Sequence, residues 1–290
     1  MKKSLLATVF TFSLAINTVK SQNNSQTVLK KTEHMEISNK EKVVALLKSI
    51  ETGDRVPASY INPNKYIQHN QGVADGLAGF GAVLQQLPPN SAKSNTVRVF
   101  EDGDFVVAHT DYNFFGPKIG IDIFRFENGL IVEHWDNLQE KVEKTASGRT
   151  QIDGPTTIEN QDKTVANKTL VKNLLKDVFF GENPDKITDY ISTTQYNQHN
   201  PAVNDGLAGL GEALKSLAEA GMPMVYEKNH TILGEGNFVL SVSEGLFMKE
   251  KVAFYDLFRI EDGKVVEHWD TIQNILPEAD AKNNNGKFNF

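Results

Sequence analysis

After residue 37 the chain runs twice through the same succession of hydrophobic rhythms. Val43, Leu46, Leu47 and Ile50 follow Ser38-Asn39-Lys40-Glu41 at i, i+3, i+4, i+7, the stripe of an amphipathic helix entered through a capping box. Val171, Leu174, Leu175 and Val178 repeat the stripe, and Gly53 and Gly181 end the two helices. A short helix leads to Gln68-His69-Asn70. Leu77, Phe80, Leu84 and Leu87 then mark a further helix, stopped by Pro88-Pro89. Beyond it the rhythm becomes that of strands. Val97–Phe100, Phe105–Thr110, Ile119–Phe126 and Leu130–Leu138 are rich in β-branched and aromatic residues, separated by Asp102-Gly103, Gly116-Pro117 and Asn128-Gly129. Helices followed by an antiparallel meander predict an α+β fold with the helices on one face of the sheet.

The second run is a duplication. Tyr66-Ile67-Gln68-His69-Asn70 returns as Tyr196-Asn197-Gln198-His199-Asn200, and Asp75-Gly76-Leu77-Ala78-Gly79 as Asp205-Gly206-Leu207-Ala208-Gly209. Asp122-Ile123-Phe124-Arg125 returns as Asp256-Leu257-Phe258-Arg259, and Val132-Glu133-His134-Trp135-Asp136 as Val266-Glu267-His268-Trp269-Asp270. The organisation expected is domain 1 over 38–143, a polar linker over 144–161, domain 2 over 162–276, and poorly ordered ends at 22–37 and 277–290.

The final hairpin permits a geometric expectation. With Asn128-Gly129 as a two-residue turn, Asp122 pairs with Trp135, and Asp122, Phe124 and Trp135 share one face. Ile123, Arg125 and His134 then share the other, which gives His134 a structural or interface role. Asp256 and Trp269 follow the same rule through Asp262-Gly263. A carboxylate on an apolar face is costly unless it is hydrogen-bonded or lines a cavity, and burial there raises its pKa towards that of a useful general base. His109, on the preceding strand, is placed to orient or relay for Asp122; its counterpart in the second copy is Val242. His69 and His199 sit in polar turns, where they can bind a ligand oxygen or satisfy local backbone.

Composition narrows the chemistry. The net charge of −7 disfavours nucleic acid as a partner, and the absence of cysteine removes disulfides, thiolate metal sites and a Cys nucleophile. His69, His109 and Asp122 could together supply three ligands, but no dedicated metal motif is present and no metal is expected. Lys2 and Lys3, the apolar run Leu5–Val19 and the small residue Ser21 read as a signal peptide cut after Ser21, giving a secreted or periplasmic protein without a membrane span.

Taken together, the motifs Tyr66–Asn70, Asp75-Gly76, Asp122–Arg125 and Asn128–Asp136, with their second copies, resemble the SnoaL-like domains of the nuclear transport factor 2-like superfamily. They are most similar to its aldol-condensation and polyketide-cyclase-type subgroup. The resemblance implies two tandem cone-shaped domains, each with N-terminal helices packed on a curved antiparallel sheet around a pocket. It implies a cofactor-independent enzyme in which an Asp general base, assisted by His, acts on a small apolar carbonyl compound by aldol-type, cyclase or isomerase chemistry. The catalytic residues implied are Asp122 and His109, with Asp256 in domain 2; His69 and His199, read from their polar turns, are expected to assist as hydrogen-bonding or relay groups. Tyr66, Asn70, Phe124 and Trp135 are the expected ligand-binding residues, matched by Tyr196, Asn200, Phe258 and Trp269. It also implies sheet-face association, as an intramolecular pseudo-dimer through the face of His134 and Arg125 or as a homodimer. A non-catalytic binder of apolar ligands and a structural module remain open alternatives, because one fold hosts many functions.

Overall fold

The computed structural model describes residues 37–88 and 90–290. The signal peptide expected over 1–21 and the segment 22–36 lie outside the described residues.

Domain 1 begins with α1 (Asn39–Thr52), whose capping box is formed in both directions and whose Gly53 adopts the left-handed conformation at φ 70°. A 3-10 turn at Val56–Tyr60 leads to β1 (Ile67–Gln68) and α2 (Gly76–Gln86). Gly79 is required there, because a Cβ would lie 1.8 Å from the carbonyl oxygen of Ala74. Strands β2 (Lys93–Asp102), β3 (Phe105–Asn113), β4 (Pro117–Glu127) and β5 (Leu130–Glu140) form an antiparallel meander, and β1 adds to β5 in parallel, giving the order β1-β5-β4-β3-β2. Domain 2 repeats this plan with α3 (Thr164–Leu174), α4 (Ile187–Tyr190), β6 (Asn197–Gln198), α5 (Gly206–Glu219), β7 (Val225–Glu235), β8 (Phe238–Phe247), β9 (Glu250–Glu261) and β10 (Lys264–Asn274). Its sheet has the order β6-β10-β9-β8-β7. The fold is α+β with two tandem domains.

The last hairpin differs from expectation in one decisive respect. The turn is the two-residue one, with Asn128 and Gly129 at φ 51° and 75° and Glu127 opposite Leu130. Phe126 pairs with Ile131, but Arg125 pairs with Glu133, so Val132 is an extra residue on β5. This β-bulge shifts the ladder by one and turns every later side chain to the opposite face. Asp122 therefore pairs with Asp136, and Ile123 with Trp135. The same bulge in domain 2 pairs Asp256 with Asp270 and Leu257 with Trp269.

Each sheet thus has two apolar faces. The inner face packs on the helices: Val43, Leu46, Leu47, Val106, Phe124 and Phe126 share one cluster in domain 1, and Val171, Leu174, Val239 and Phe258 share another in domain 2. The outer faces pack on each other. Phe100, Val107, Ile121, Ile123 and Trp135 form a single cluster with Phe238, Leu240, Val242, Tyr255, Leu257 and Trp269. The pairing of sheets within one chain matches the expected pseudo-dimer, but the face used carries Trp135 and not His134. Asn137 ties the two sheets together, its side-chain amide donating to the backbone oxygens of Ala253 at 3.2 Å and Thr271 at 2.7 Å.

The polar segments after β5 and β10, expected from composition to be a linker and a poorly ordered tail, are both packed, each across the other domain. From domain 1, Ala146 N–H donates to Pro201 O at 2.9 Å, Arg149 pairs with Asp205, and Trp269 Nε1–H donates to Asp153 O at 2.9 Å. From domain 2, Lys282 N–H donates to Gln71 O at 2.8 Å, Asn285 bonds Gln68 O and Asp75, and Phe290 stacks on Trp135 with ring centroids 4.7 Å apart. These straps are polar because they are held by hydrogen bonds to backbone and carboxylate groups, which a compositional reading cannot tell from solvation. No helix among the described residues is long and apolar enough to cross a membrane.

A chain ending at Leu276 should lose about 2 kcal/mol or more of stability, because the partners of His69 and Asp75 go with the strap. The unfolding midpoint in urea should fall, and tryptophan emission should shift to the red as Trp135 loses Phe290. An unchanged midpoint would mean that the strap does not contribute to the fold.

Candidate functional site

Between the inner face of each sheet and its helices lies a cavity, of about 90 Å³ in domain 1 and about 180 Å³ in domain 2. In domain 1 its walls are apolar, from Leu46 and Leu47 on α1, Phe80 and Leu84 on α2, and Phe114 after β3. One end is polar: Tyr66, Gln68, Asn70, Tyr112, Asp122, His134 and Asp136 line it.

These polar groups form a connected network. Tyr112 Oη–H donates to Asp122 Oδ2 at 2.8 Å, and His134 Nε2 lies 3.1 Å from Asp122 Oδ1. His134 Nδ1 lies 3.1 Å from Gln68 Oε1, which already accepts the Asn70 backbone N–H at 2.8 Å. That oxygen can only accept, so Nδ1 carries a proton and points Nε2 at Asp122. One further proton then lies between Asp122 and His134, on either partner. Burial pushes the Asp122 carboxyl above the ordinary value of 3.8; the hydrogen bond and charge of His134 oppose this, and Asp136 adds to it. Burial and the Asp122 charge hold the Tyr112 phenol well above its usual range, so it stays a donor. Asn70 Nδ2–H donates to Asp136 Oδ2 at 2.7 Å, and Asp136 Oδ1 is buried without a partner among the described residues.

Domain 2 reproduces the arrangement. His268 Nε2 lies 3.1 Å from Asp256 Oδ1 and its Nδ1 lies 3.1 Å from Gln198 Oε1, while Asn200 holds Asp270 Oδ2 at 2.6 Å. Burial disfavours a charged His268, but the Asp256 hydrogen bond and the charges of Asp270 and Asp256 outweigh it and raise its pKa. The phenol has moved. Tyr226 Oη–H reaches Asp256 Oδ1 at 3.1 Å, yet Tyr226 is on β7, whereas Tyr112 is on β3. The rungs correspond: Ser94 faces Tyr112 in domain 1, and Tyr226 faces Gly245 in domain 2. The same hydroxyl is thus supplied from opposite sides of one rung. Gly245 leaves the necessary room, since a Cβ there would lie 1.9 Å from Val225 O.

Several sequence-predicted residues lie elsewhere. His109 is on the outer face, where its Nδ1 lies 3.3 Å from Arg98 Nη1 and its ring meets Trp269 edge-on. Burial and the Arg98 charge hold its pKa well below 6.5, so it is neutral and cannot relay for Asp122. Val242, its counterpart, is likewise in the inter-sheet core and implies no loss from the domain 2 cavity. His69 also faces outward, stacked on Trp135 at 4.4 Å, with Nε2 2.8 Å from Glu133 Oε1 and Nδ1 2.6 Å from Gly286 O. His199 does the same with Trp269, Glu267 and Thr150. Trp135 and Trp269 therefore wall the domain interface and not the cavities; the bulge put them there. Tyr66, Asn70, Phe124, Tyr196 and Asn200 do line the cavities. Phe258 packs behind, stacked on His268 at 5.0 Å, and Asp256 lies beneath Tyr226 and His268.

The residues not foreseen are His134, Asp136, Tyr112, Gln68 and their domain 2 partners. Ligand atoms of Asp122, His134 and Asp136 lie within 4.8 Å of one another, as do those of Asp256, His268 and Asp270. Each trio could ligate a cation, although the histidine and the first aspartate already satisfy one another.

No family model matches the chain, and no curated protein matches it. Among solved structures it is similar to an NTF2-like protein of unknown function from Cytophaga hutchinsonii, at 16% identity and a TM-score of 0.32 over 37% of this chain and 94% of that one. It is also similar to IdmH from Streptomyces antibioticus, provisionally described as a polyketide cyclase, at 18% identity and a TM-score of 0.31 over 39% of this chain and 96% of that one. A protein of unknown function with a cystatin-like fold from Xanthomonas campestris matches at 22% identity and a TM-score of 0.32, over 37% and 91%.

The raised pKa of Asp122 has a definite sign in stability. Native protein binds the Asp122 proton more tightly than unfolded protein, so stability attributable to this group is lost as pH rises from 3.8 through the raised value. Asp122→Asn preserves the geometry, with its amide donating to His134 Nε2 and its oxygen accepting from Tyr112, but it does not titrate. Unfolding in urea at a series of pH values should show the variant gaining on the wild type as pH rises across that window. A difference that moves the other way would contradict the assignment.

Proposed function

We propose that each domain houses an acid–base site that moves a proton at a carbon next to a carbonyl group in a small, mostly apolar compound. The observation that carries this reading is the Asp122–His134 pair: a carboxylate sharing one proton with an oriented imidazole at the polar end of an apolar cavity. With the shared proton on His134, Asp122 takes the carbon-bound proton, its basicity raised by burial, and the imidazolium stays hydrogen-bonded to it. Tyr66, which lines the cavity and whose phenol is kept protonated by burial, is the donor for the developing enolate oxygen. The reaction draws on side chains alone, as the SnoaL-like resemblance implies. Aldol-type, cyclase and isomerase reactions all begin with this proton transfer.

Both domains are read as active. Domain 2 keeps the carboxylate, the imidazole and its orienting glutamine, and its phenol reaches the carboxylate from a different strand. A hydroxyl restored from the opposite side of the rung is hard to account for as packing alone. The wider cavity of domain 2 favours a bulkier ligand. With residues 1–21 read as a signal peptide, the proposed activity is exercised outside the cytoplasm.

The test is hydrogen exchange at carbon. Small ketones in D2O, followed by proton NMR, should lose their α-proton signals faster with protein than with buffer. Asp122→Asn and Asp256→Asn should each remove part of the activity, and the double variant should fall by about 100-fold or more, towards the buffer rate. His134→Gln should slow domain 1 exchange while the fold persists. Exchange that is undiminished in the double variant, or absent with every ketone, would refute the proposal.

A further inference from the structure

The acid–base pair leaves one buried group unused in each cavity. Asp136 Oδ2 is held by Asn70, but Oδ1 is buried and has no partner among the described residues. In domain 2, Asn200 holds Asp270 Oδ2, and Asp270 Oδ1 is again buried and unpartnered. Both residues line their cavities and are more than nine-tenths buried, at 6% and 7% exposure. An unpaired buried acceptor is costly, and a charged one more so. The same open oxygen in both halves marks a position that a ligand completes. The neighbouring carboxylate is already satisfied, because Asp122 bonds His134 and Tyr112 through its two oxygens.

We propose that Asp136 in domain 1, and Asp270 in domain 2, anchor a hydroxyl group of the ligand, so that each site selects a hydroxy-carbonyl compound over its hydroxyl-free or alkylated analogue. This rests on the proton-transfer reading for the position of the ligand's acidic carbon. Asp122 and Asp136 are directly paired across β4 and β5, so their side chains are neighbours on one face, with acceptor atoms within 4.8 Å. With the two carboxylates this close, a ligand whose acidic carbon faces Asp122 brings a hydroxyl borne one or two carbons away within reach of Asp136 Oδ1. A hydroxyl that donates to a carboxylate oxygen makes one of the stronger hydrogen bonds. It also discriminates: an ether oxygen offers no proton and would meet a carboxylate oxygen that can only accept.

The test uses 4-hydroxy-2-butanone and 4-methoxy-2-butanone, which differ at the proposed anchor point and share the acidic carbon. Affinities come from NMR titration, which does not require turnover, and exchange of the C3 protons is followed separately. Wild type should bind the hydroxy compound about 10- to 100-fold more tightly than the methoxy compound. In the Asp136→Asn/Asp270→Asn variant, Asn70 and Asn200 hold the new carbonyl oxygens, so an amide N–H now faces each cavity. The preference should vanish or invert, because the ether oxygen can accept from it. A preference unchanged in the variant, or absent in the wild type, overturns the anchor. So does loss of hydroxy-compound binding on treatment with a chelator and its return with a divalent cation, which would make Asp136 a metal ligand. If the affinities follow the prediction but no exchange occurs, the anchor stands and the proton-transfer reading fails.

Discussion

One extra residue in one strand governs both the site and the assembly. Val132 in β5, like Val266 in β10, interrupts the ladder and reverses the facing of every later residue in its strand. Without the bulge, Trp135 would project into the cavity beside Asp122, while His134 and Asp136 would face the partner sheet. With it, the imidazole and second carboxylate meet Asp122 from the paired strand, and the indole fills the space between the sheets. The acid–base and the structural contents of the motif Glu-His-Trp-Asp are thereby sorted to opposite faces, each buried against a different neighbour. Glu133 belongs with the indole on the outer side, where Arg125 pairs with it and His69 hydrogen-bonds to it.

Electrostatics at the two faces obey opposite logic. On the outer side, charges are paired as they are buried: Arg125–Glu133–His69 and Arg259–Glu267–His199 leave each carboxylate with partners that hold its pKa down against the effect of burial. On the inner side the carboxylates outnumber the imidazole, two to one in each trio. Burial is then only partly offset, so Asp122 in one domain and Asp270 in the other hold a proton more tightly than an ordinary carboxyl does. The first arrangement suits a permanent interface and the second a site that exchanges protons.

Much of the fold was legible as periodicity and punctuation: the capping box at Ser38, the α1 stripe, the Asn128-Gly129 turn and the duplication itself. The bulge was not, because Val132 is an ordinary strand residue and a register shift leaves no mark in composition. That one omission inverted the roles of Trp135 and His134. Tyr112 was missed because β3 continues to Asn113, beyond the apolar run that ends at Thr110. Its counterpart Tyr226 stands on another strand and escapes any comparison of aligned positions. β1 is two residues long, too short for any period, yet it positions Gln68, which orients His134. Asp122, Tyr66 and Asn70, singled out in the sequence by their repeated motifs and by a carboxylate among apolar strand residues, do line the domain 1 cavity.

The reciprocal straps and the shared outer core make the molecule a closed pair of halves within a single polypeptide. In a dimer of identical subunits, every change to one pocket is imposed on the other, and folding depends on concentration. Here neither constraint holds. Each half keeps its partner at any dilution, and each cavity can vary by itself while the interface is preserved. The unequal volumes and the relocated phenol are what such freedom produces: two pockets with common chemistry and separate histories. A single chain can in this way offer two specificities in fixed one-to-one proportion.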